Sequence, residues 1–381
     1  MSHPLVTSTL LSDFPLWEKM TAKRRPIYFD LEVTARCNHD CRHCYINLPA
    51  RDREARAREL SLEEIEGIAK EAMSLGALWC LVTGGEPLLR EDFFEIYLAL
   101  KRLGLLVTVF TNASLITEEH VALFQKYPPR DLEVSVYGVT LETYEAVTRR
   151  PGSFAAFRRG LNLLLKGGVK VRLKAMALRA NAHELPLIAR FCRERTGDYF
   201  RFDPFLHLRF DGHPARNEEI RGQRLSPEEI VALEQADPER FMALQKGCDQ
   251  LLAPACGQPG CDHLFHCGAG LRSFTVSDQG FFRLCSSLWH PECVYDLRRG
   301  RLQDAWEDLV PQVRERGSQN REFLEKCRSC SLFNLCFWCP AHAHLECGRM
   351  DAWVEYFCRV AQARARALGH AKKAPAPVFS P

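Results

Sequence analysis

Three closely spaced cysteines are the residues of this chain with the clearest chemical potential. Cys37, Cys41 and Cys44 are spaced Cys-x3-Cys-x2-Cys in the run TARCNHDCRHCY. Three thiolates on one short loop can bind three irons of a [4Fe–4S] cube and leave the fourth iron without a protein ligand, open to a substrate or cofactor. A zinc site with His39 or His43 as a fourth ligand is the alternative, although zinc sites favour Cys-x2-Cys pairs.

A glycine-rich turn follows the next predicted strand and contains Gly84, Gly85, Glu86 and Pro87. Glycines at such a turn let the backbone approach a neighbour or ligand closely. Together with the cysteine spacing, this GGEP run resembles the radical S-adenosylmethionine (radical SAM) superfamily. The resemblance implies that SAM chelates the open iron through its amine and carboxylate and that the GGEP segment binds the amine. Electron transfer would then split SAM into methionine and a 5′-deoxyadenosyl radical that abstracts hydrogen from a substrate.

The same resemblance assigns further contacts to SAM. Ser135, at the end of the fourth predicted strand, would contact the ribose, and Arg150 or its neighbour Arg149 would contact the carboxylate. Asn112 lies in a Thr-Asn-Ala run where relatives often carry Thr-Asn-Gly. Each of these could instead be an ordinary turn or surface residue. Lys174, among apolar residues of the fifth predicted strand, is a candidate for a side chain inside the fold.

A second group of cysteines lies towards the C-terminus, where 12 of the 17 cysteines fall between residues 248 and 358. Cys267 and Cys285 are spaced Cys-x12-Gly-x4-Cys, and Cys327 begins a Cys-x2-Cys-x5-Cys-x2-Cys run. The array resembles the SPASM extension of radical SAM enzymes, which carries two auxiliary [4Fe–4S] clusters, although the last gap is one residue shorter than the family pattern. A zinc-ribbon-like site built from the two Cys-x2-Cys pairs is the alternative.

The SPASM resemblance implies two sets of cluster ligands. Auxiliary cluster I would be held by Cys261, Cys267, Cys285 and Cys339. Auxiliary cluster II would be held by Cys327, Cys330, Cys336 and Cys358. Cys256 could replace Cys261, and Cys347 could replace Cys358. Because the two sets interleave along the chain, we expect the region to fold poorly without metal.

The elements that must position these residues alternate between strand-like and helix-like segments. The predicted strands are 27–34, 78–83, 105–111, 132–137, 169–178 and 199–206. A capping box at Ser61 and Glu64 predicts a helix to about Leu75. Six βα units indicate an α/β fold with a parallel sheet, and the resemblance implies a partial (β/α)6 TIM-like barrel with its ligands at the C-terminal ends of the strands.

The predicted organisation has five parts. A barrel over residues 27–210 follows an N-terminal extension (1–26). A bridging region (211–247) leads to a small loop-rich, cysteine-dense SPASM-type metal-binding domain (248–365) and a disordered tail (366–381). A leader-binding domain, which many peptide-modifying members carry before the barrel, is not expected in the 26 residues that precede the first strand. A peptide substrate would then need a separate leader-peptide carrier or direct binding.

Composition narrows the functional classes. The net charge of +3 gives no nucleic-acid signature, and no apolar run is long enough for a membrane span. The N-terminus has no signal-peptide pattern, and a thiol-rich chain suits metal ligation in a reducing compartment. We therefore predict a cytoplasmic protein with no nucleic-acid or membrane partner.

SPASM enzymes mostly modify peptides or proteins, so the resemblance implies an oxidoreductase that makes an oxidative crosslink, a thioether or a related change. Its cofactors would be SAM and three [4Fe–4S] clusters, with a flavodoxin or ferredoxin as reductant. Ser286 follows Cys285 where sulfatase maturases carry an aspartate, which argues against that activity.

Four residues in the sixth predicted strand or just past it are weak candidates for a general base, each more often structural: Asp203, His207, Asp211 and His213. Two other functions stay open. One is a SPASM-type enzyme acting on a small molecule in cofactor or metabolite biosynthesis. The other is a non-catalytic iron–sulfur redox protein, which would not need the GGEP and ribose-contact residues.

Overall fold

The computed structural model describes residues 16–197, 200–252 and 262–370. Nine strands within these ranges form one sheet in the order β9-β8-β7-β1-β2-β3-β4-β5-β6. They are β1 Tyr28–Thr34, β2 Trp79–Gly84, β3 Leu106–Thr111, β4 Asp131–Ser135, β5 Val171–Met176, β6 Arg201–Asp203, β7 Ser273–Val276, β8 Phe281–Arg283 and β9 Tyr295–Asp296.

The first six strands run parallel in chain order, which confirms the predicted partial barrel. Side chains alternate between its two faces. On β1, Phe29 and Leu31 are fully buried in the core that packs against the helices. Their neighbours Asp30 and Glu32 instead line a cavity inside the barrel. The polar residues of these strands are therefore directed to the inner face.

Helices connect the parallel strands, and the helix predicted to end at about Leu75 is present as Leu62–Leu75. Ser61 and Glu64 form the predicted capping box, with the Glu64 N–H donating to Ser61 Oγ at 3.2 Å and the Ser61 N–H to Glu64 Oε2 at 2.8 Å. The α-helices are Leu16–Ala22, Arg53–Arg58, Leu62–Leu75, Phe93–Arg102, Glu118–Lys126, Leu141–Thr148, Ser153–Lys166, Leu185–Thr196, Pro214–Gly222, Pro227–Ala236, Pro238–Leu251, Leu302–Asp304, Val310–Arg314, Arg321–Phe323, Pro340–Cys347 and Glu355–Ala367.

The C-terminal region continues the barrel sheet, a feature that the sequence analysis did not foresee. Strand β7 pairs in parallel with β1, with Ser273 opposite Tyr28, and β8 and β9 follow in antiparallel order. Cys285 lies just after β8, so this shared sheet fixes its position relative to the barrel. The predicted domain boundaries stay a prediction.

Two further features complete the described chain. The last helix ends at Ala367, which lies inside the tail predicted over 366–381, and the part of that tail from residue 371 onward lies outside the described residues. Within the described parts of the chain, no helix combines the length and apolar character of a membrane span.

Candidate functional site

The three cysteines of the first motif lie on one cavity at the C-terminal ends of the barrel strands. This cavity has a volume of about 350 Å³, and its walls include Cys37, Cys41 and Cys44 together with residues of β1 to β6. Burial raises the pKa of all three thiols. Buried thiols close to one another suit a cationic metal centre, which stabilises their deprotonated form.

Backbone N–H groups donate to the sulfurs of several predicted ligands. The His39 N–H lies 3.4 Å from Cys37 Sγ, and Cys330, Cys336 and Cys339 each accept an equivalent bond at 3.4 Å. Such bonds stabilise thiolate sulfur and tune the potential of an iron–sulfur cluster. This donor set fits iron–sulfur ligation at both predicted regions.

The cysteine loop is held at its ends and along its length. Residues Arg36–Cys37 pair in parallel with Leu48–Pro49, which closes the loop. Glu219, on the helix Pro214–Gly222, accepts hydrogen bonds from Arg42 at 3.0 Å and from Arg149 at 2.9 Å.

Arg216 extends this network from the same helix. Its guanidinium donates to Glu219 at 2.9 Å and to the Cys41 carbonyl at 3.0 Å. Asp40, within the loop, also pairs with Arg149 and Arg216. The loop is therefore fixed from outside the barrel by charged partners.

The two glycines of GGEP are required by the chain that leads into the cysteine loop. A Cβ at Gly84, which has φ of +126°, would lie 2.2 Å from the Thr34 carbonyl oxygen. A Cβ at Gly85 would lie 2.3 Å from the Arg36 carbonyl oxygen. The Gly85 N–H donates to that Thr34 oxygen at 2.7 Å. The glycines thus bring the end of β2 against the start of the loop.

Glu86 and Pro87, predicted to contact SAM, lie behind the cavity wall formed by Gly84 and Gly85. The Glu86 carboxylate is fully buried and accepts from Thr111 Oγ1 at 2.8 Å and from the Asn112 N–H at 2.7 Å. Burial raises the pKa of Glu86 to about 7 despite these bonds. In this arrangement Glu86 connects β2 to the end of β3, and direct contact with SAM stays a prediction.

Asn112 lines the cavity and also contacts the cysteine loop. Its amide donates to Asn38 Oδ1 at 2.9 Å and approaches Cys37 Sγ at 3.9 Å. Its oxygen accepts from the Ser114 N–H at 2.9 Å. The next residue, Ala113, has φ of +60°. This left-handed conformation explains why glycine suits the position in relatives and means that alanine is strained there.

The arginines assigned to the SAM carboxylate lie away from the cavity walls. Arg149 forms ion pairs with Asp40 and Glu219, and the side chain of Arg150 is exposed to solvent. Arg150 is near enough to His39 to help lower the pKa of that imidazole, although burial is the larger cause. Ser135 does line the cavity. The roles of all three stay predictions.

Two of the four general-base candidates lie on the cavity. Asp203 and His207 line its wall, and Ser287 Oγ lies 2.8 Å from Nδ1 of His207. Asp211 instead forms an ion pair with Arg209 at 2.6 Å. His213 caps the helix Pro214–Gly222 by accepting the Arg216 N–H at 3.4 Å. Asp203 and His207 therefore lie on the cavity wall, whereas Asp211 and His213 do not.

Several residues of the cavity were not singled out from the sequence. They are Asp30 and Glu32 on β1 and Tyr45 after the third cysteine, while His39, His43 and Ser286 were noted for other reasons. His39 is 4% exposed, and neither of its ring nitrogens has a hydrogen-bond partner among the described residues. The alternation of Asp30 and Glu32 with apolar residues in YFDLEVT was the available signal. A buried, unpartnered imidazole on this wall fits a site that receives a polar ligand.

The four cysteines assigned to auxiliary cluster II come together. They line one cavity of about 50 Å³ beside Trp353: Cys327, Cys330, Cys336 and Cys358. Cys347, the alternative to Cys358, is exposed at the end of its helix and is not on this cavity.

Three of the four cysteines assigned to auxiliary cluster I are also neighbours. Burial and then the nearby thiols of Cys285 and Cys267 raise the pKa of Cys339. The fourth, Cys261, and its alternative Cys256 lie outside the described residues. Among residues described here, no three His, Cys, Asp or Glu side chains are placed to hold a single metal ion.

Residues 31–192 match the family model of the Radical SAM superfamily. This segment of the chain is a radical SAM domain. The fold of the chain, with its cysteine-rich C-terminal region, is similar to that of the solved structures SuiB and anSMEcpe. The match covers β1 to β5 and includes both the cysteine loop and the GGEP turn.

Two curated relatives extend the similarity beyond that domain. The radical SAM chain is 24% identical over 351 residues to the antilisterial bacteriocin subtilosin biosynthesis protein AlbA of Bacillus subtilis, covering 88% of this chain and 71% of AlbA. It is 25% identical over 347 residues to the AdoMet-dependent heme synthase of Methanosarcina barkeri, covering 83% of this chain and 92% of that protein.

Two solved structures share the fold. Streptococcus suis SuiB bound to precursor peptide SuiA aligns with a TM-score of 0.65 and 16% identity, over 93% of this chain and 82% of SuiB. The enzyme anSMEcpe with bound AdoMet aligns with a TM-score of 0.63 and 14% identity, over 92% of this chain and 96% of that one. The barrel and the region after it are therefore arranged as in those enzymes.

Proposed function

We propose that this radical SAM enzyme modifies a peptide or protein by removing a carbon-bound hydrogen, which leads to a crosslink, a thioether or a related oxidative change. The observation that carries the proposal is the single cavity of about 350 Å³ that joins Cys37, Cys41 and Cys44 to Gly84, Gly85 and the inner ends of six strands. When bound there, an iron–sulfur cluster and SAM supply an adenosyl radical that abstracts hydrogen.

The chain's own residues would hold and orient these groups. The three thiols would bind the cluster, and the glycine turn, Asn112 and Ser135 would bind SAM. The barrel wall keeps the reacting atoms away from bulk water, since the cavity lies between the sheet and the loop. Asp203 and His207 are the residues of this wall that would accept a proton from the substrate.

A peptide substrate is supported by two comparisons and by the cavity charge. AlbA is a bacteriocin biosynthesis protein, and the SuiB structure holds a precursor peptide. The ionisable side chains on the cavity wall include the acids Asp30, Glu32 and Asp203 and the base Lys174. A wall with more acids than bases disfavours a substrate rich in carboxylates or phosphates.

A small-molecule substrate is the competing proposal, supported by the heme synthase relatives. Tetrapyrroles carry several carboxylates, which this cavity would repel.

We also propose two auxiliary clusters of four irons, bound by the ligand sets assigned above, and a cytoplasmic flavodoxin or ferredoxin as the electron donor. A separate carrier would present the leader of a precursor peptide.

The test is reductive SAM cleavage by the anaerobically reconstituted protein. We expect dithionite or a flavodoxin system to yield 5′-deoxyadenosine and expect Cys37→Ala, Cys41→Ala or Cys44→Ala to abolish it. Cys80→Ala, at a buried core position on β2, is the matched control and should retain cleavage. Unchanged turnover in the three loop variants would exclude the proposal.

A further inference from the structure

The charged residues of the barrel cavity differ in whether they form ion pairs with other residues of the protein. Glu32 forms an ion pair with Arg283, which is fully buried. Lys174 Nζ lies 3.1 Å from Glu133 Oε2 and 3.0 Å from the centre of the Phe110 ring. The first pair neutralises the charge of Glu32, and the second neutralises that of Lys174.

Asp30 and Asp203 differ, since neither forms an ion pair within 4 Å in the described parts of the chain. Asp30 Oδ2 accepts one bond, from Thr275 Oγ1 at 3.3 Å. Asp203 Oδ1 accepts one, from the Phe205 N–H at 2.8 Å. Each carboxylate retains acceptor capacity towards the cavity. Burial raises the pKa of Asp30 to about 6 and raises that of Asp203.

The cations that act on the two carboxylates from a distance already have closer partners. Arg283, near Asp30, pairs with Glu32, and Lys174, near Asp203, pairs with Glu133. Arg240 and Arg364 both bind Glu234, at 3.0 and 2.6 Å, and Arg201 lies 3.9 Å from Glu133. Among the described residues, neither Asp30 nor Asp203 therefore has an ion pair of its own within 4 Å.

Asp30 and Asp203 lie on β1 and β6, the first and last of the six parallel strands, and both line the cavity. His39, on the same cavity, is buried, and its ring nitrogens have no hydrogen-bond partner among the described residues, which independently marks the cavity as a ligand site.

We propose that Asp30 and Asp203 form a cation-binding subsite that receives a lysine ammonium or an arginine guanidinium of the peptide substrate. The inference rests on the proposed function and adds the substrate class. A bound cation would restore the charge balance of two desolvated carboxylates, and charge-assisted hydrogen bonds to both would fix the position of the side chain. The adjacent carbons of that residue would then lie within the reaction cavity.

The experiment uses the reconstituted enzyme with SAM and capped pentapeptides, acetyl-GAXAG-amide, in which X is lysine, arginine, norleucine or glutamate. Isothermal titration calorimetry measures Kd for each. We expect the lysine and arginine peptides to bind at least about tenfold more tightly than norleucine, because each gains charge-assisted hydrogen bonds. Asp30→Asn and Asp203→Asn should each reduce that preference to about threefold or less.

Asp308→Asn makes the same charge change at an exposed position and should keep the full preference. Thermal unfolding of each variant shows that it is folded. Equal affinity for lysine and norleucine peptides, or a preference that survives both cavity variants, would overturn the subsite. A rise in the Kd of SAM with no change in peptide preference would also overturn it, since the carboxylates would then serve SAM.

Measurement of 5′-deoxyadenosine in the same samples separates this inference from the function. If SAM is cleaved and a peptide is modified without a charge preference, the function stands and the subsite fails. If the charge preference is present but no 5′-deoxyadenosine forms, the subsite stands and the function fails.

Discussion

At the residue scale, backbone sterics rather than ligand contact explain the glycines of GGEP. Gly84 and Gly85 each face a carbonyl oxygen of the segment that enters the cysteine loop. Ala113 shows the opposite case, since alanine occupies a left-handed position at φ of +60°. In both cases the limit is the clash of a Cβ with nearby backbone. It excludes a side chain at Gly84 and Gly85, and it leaves Ala113 in a strained conformation.

Gly85→Ala should therefore be strongly destabilising. The new Cβ would lie 2.3 Å from the Arg36 carbonyl, and neither backbone segment can move without displacing the loop. We expect a loss of about 3 kcal/mol in the free energy of unfolding and loss of SAM binding. Gly67→Ala, in open space on the helix Leu62–Leu75, is the control and should gain about 0.5–1 kcal/mol. Urea unfolding measures both, and equal stability of the two variants would contradict the steric account.

Glu86 should make stability depend on pH. Its pKa is raised from 4.5 to about 7, so the folded state binds more protons than the unfolded state between these values. This group's contribution therefore falls as pH rises through that window. Asp30 and Asp278, each with a pKa raised to about 6, add to the same slope.

Buried imidazoles such as His39 and His43, whose pKa burial lowers to about 4, act in the opposite direction, so the Glu86 contribution is measured as a difference between variants. In urea unfolding of the reconstituted, SAM-free protein, we expect the change in free energy from about pH 5 to about pH 7 to be more positive for Glu86→Gln than for the unsubstituted protein, whereas the exposed Glu95→Gln should leave that change as it is. A slope that is unchanged by Glu86→Gln would mean that Glu86 is ionised throughout.

At the element scale, the cysteine loop depends on a helix distant in sequence. The helix Pro214–Gly222 presents Arg216 and Glu219 to the outer side of the loop. Glu219 accepts from three arginines, which come from the loop, from the end of the helix Leu141–Thr148 and from its own helix. One carboxylate thus connects three elements.

Glu219→Gln should loosen the loop, because an amide cannot accept three charge-assisted bonds. These groups are partly exposed, so we expect a loss of only about 1–2 kcal/mol in the free energy of unfolding. We also expect faster release of iron to a chelator, followed by absorbance. Glu218→Gln, with a side chain 80% exposed, is the neighbouring control. Identical release rates in the two variants would show that the network does not hold the loop.

At the scale of the whole molecule, strand pairing and buried ion pairs connect the C-terminal region to the rest of the fold. Strand β7 extends the sheet beside β1, and Arg283 on β8 pairs with Glu32 inside the barrel. Arg364 of the last helix binds Glu234, on the helix Pro227–Ala236, at 2.6 Å. The C-terminal cysteines are therefore held against the catalytic barrel.

Iron content should distinguish the two candidate ligands of auxiliary cluster II. Cys358→Ala removes a thiol from the cavity shared with Cys327, Cys330 and Cys336, so we expect a loss of about four irons per chain. Cys347→Ala, at an exposed position, should lose none. Iron and sulfide analysis after anaerobic reconstitution measures both. The assignment would be wrong if Cys347→Ala lost iron and Cys358→Ala did not.

The sequence by itself determined the features that depend on local spacing. The Cys-x3-Cys-x2-Cys loop, the GGEP turn and six βα units are contiguous patterns, and the capping box of Ser61 and Glu64 lies within one turn of helix. The βα pattern indicated a parallel sheet, because hydrogen bonding and side-chain alternation act over a few residues. The motifs carried the resemblance to the superfamily, and that resemblance implied the barrel and the four cysteines that line the second cavity.

Only the tertiary structure decided which distant residues meet. Strand β7 joins β1 across more than 200 residues of chain, Glu219 reaches the cysteine loop, and Asp30 and Asp203 share one cavity. Asp211 and His213 follow His207 within the same short segment after β6, yet they bind Arg209 and cap a helix. Side-chain direction and long-range pairing depend on the packing of the whole chain, so local spacing could not separate these residues.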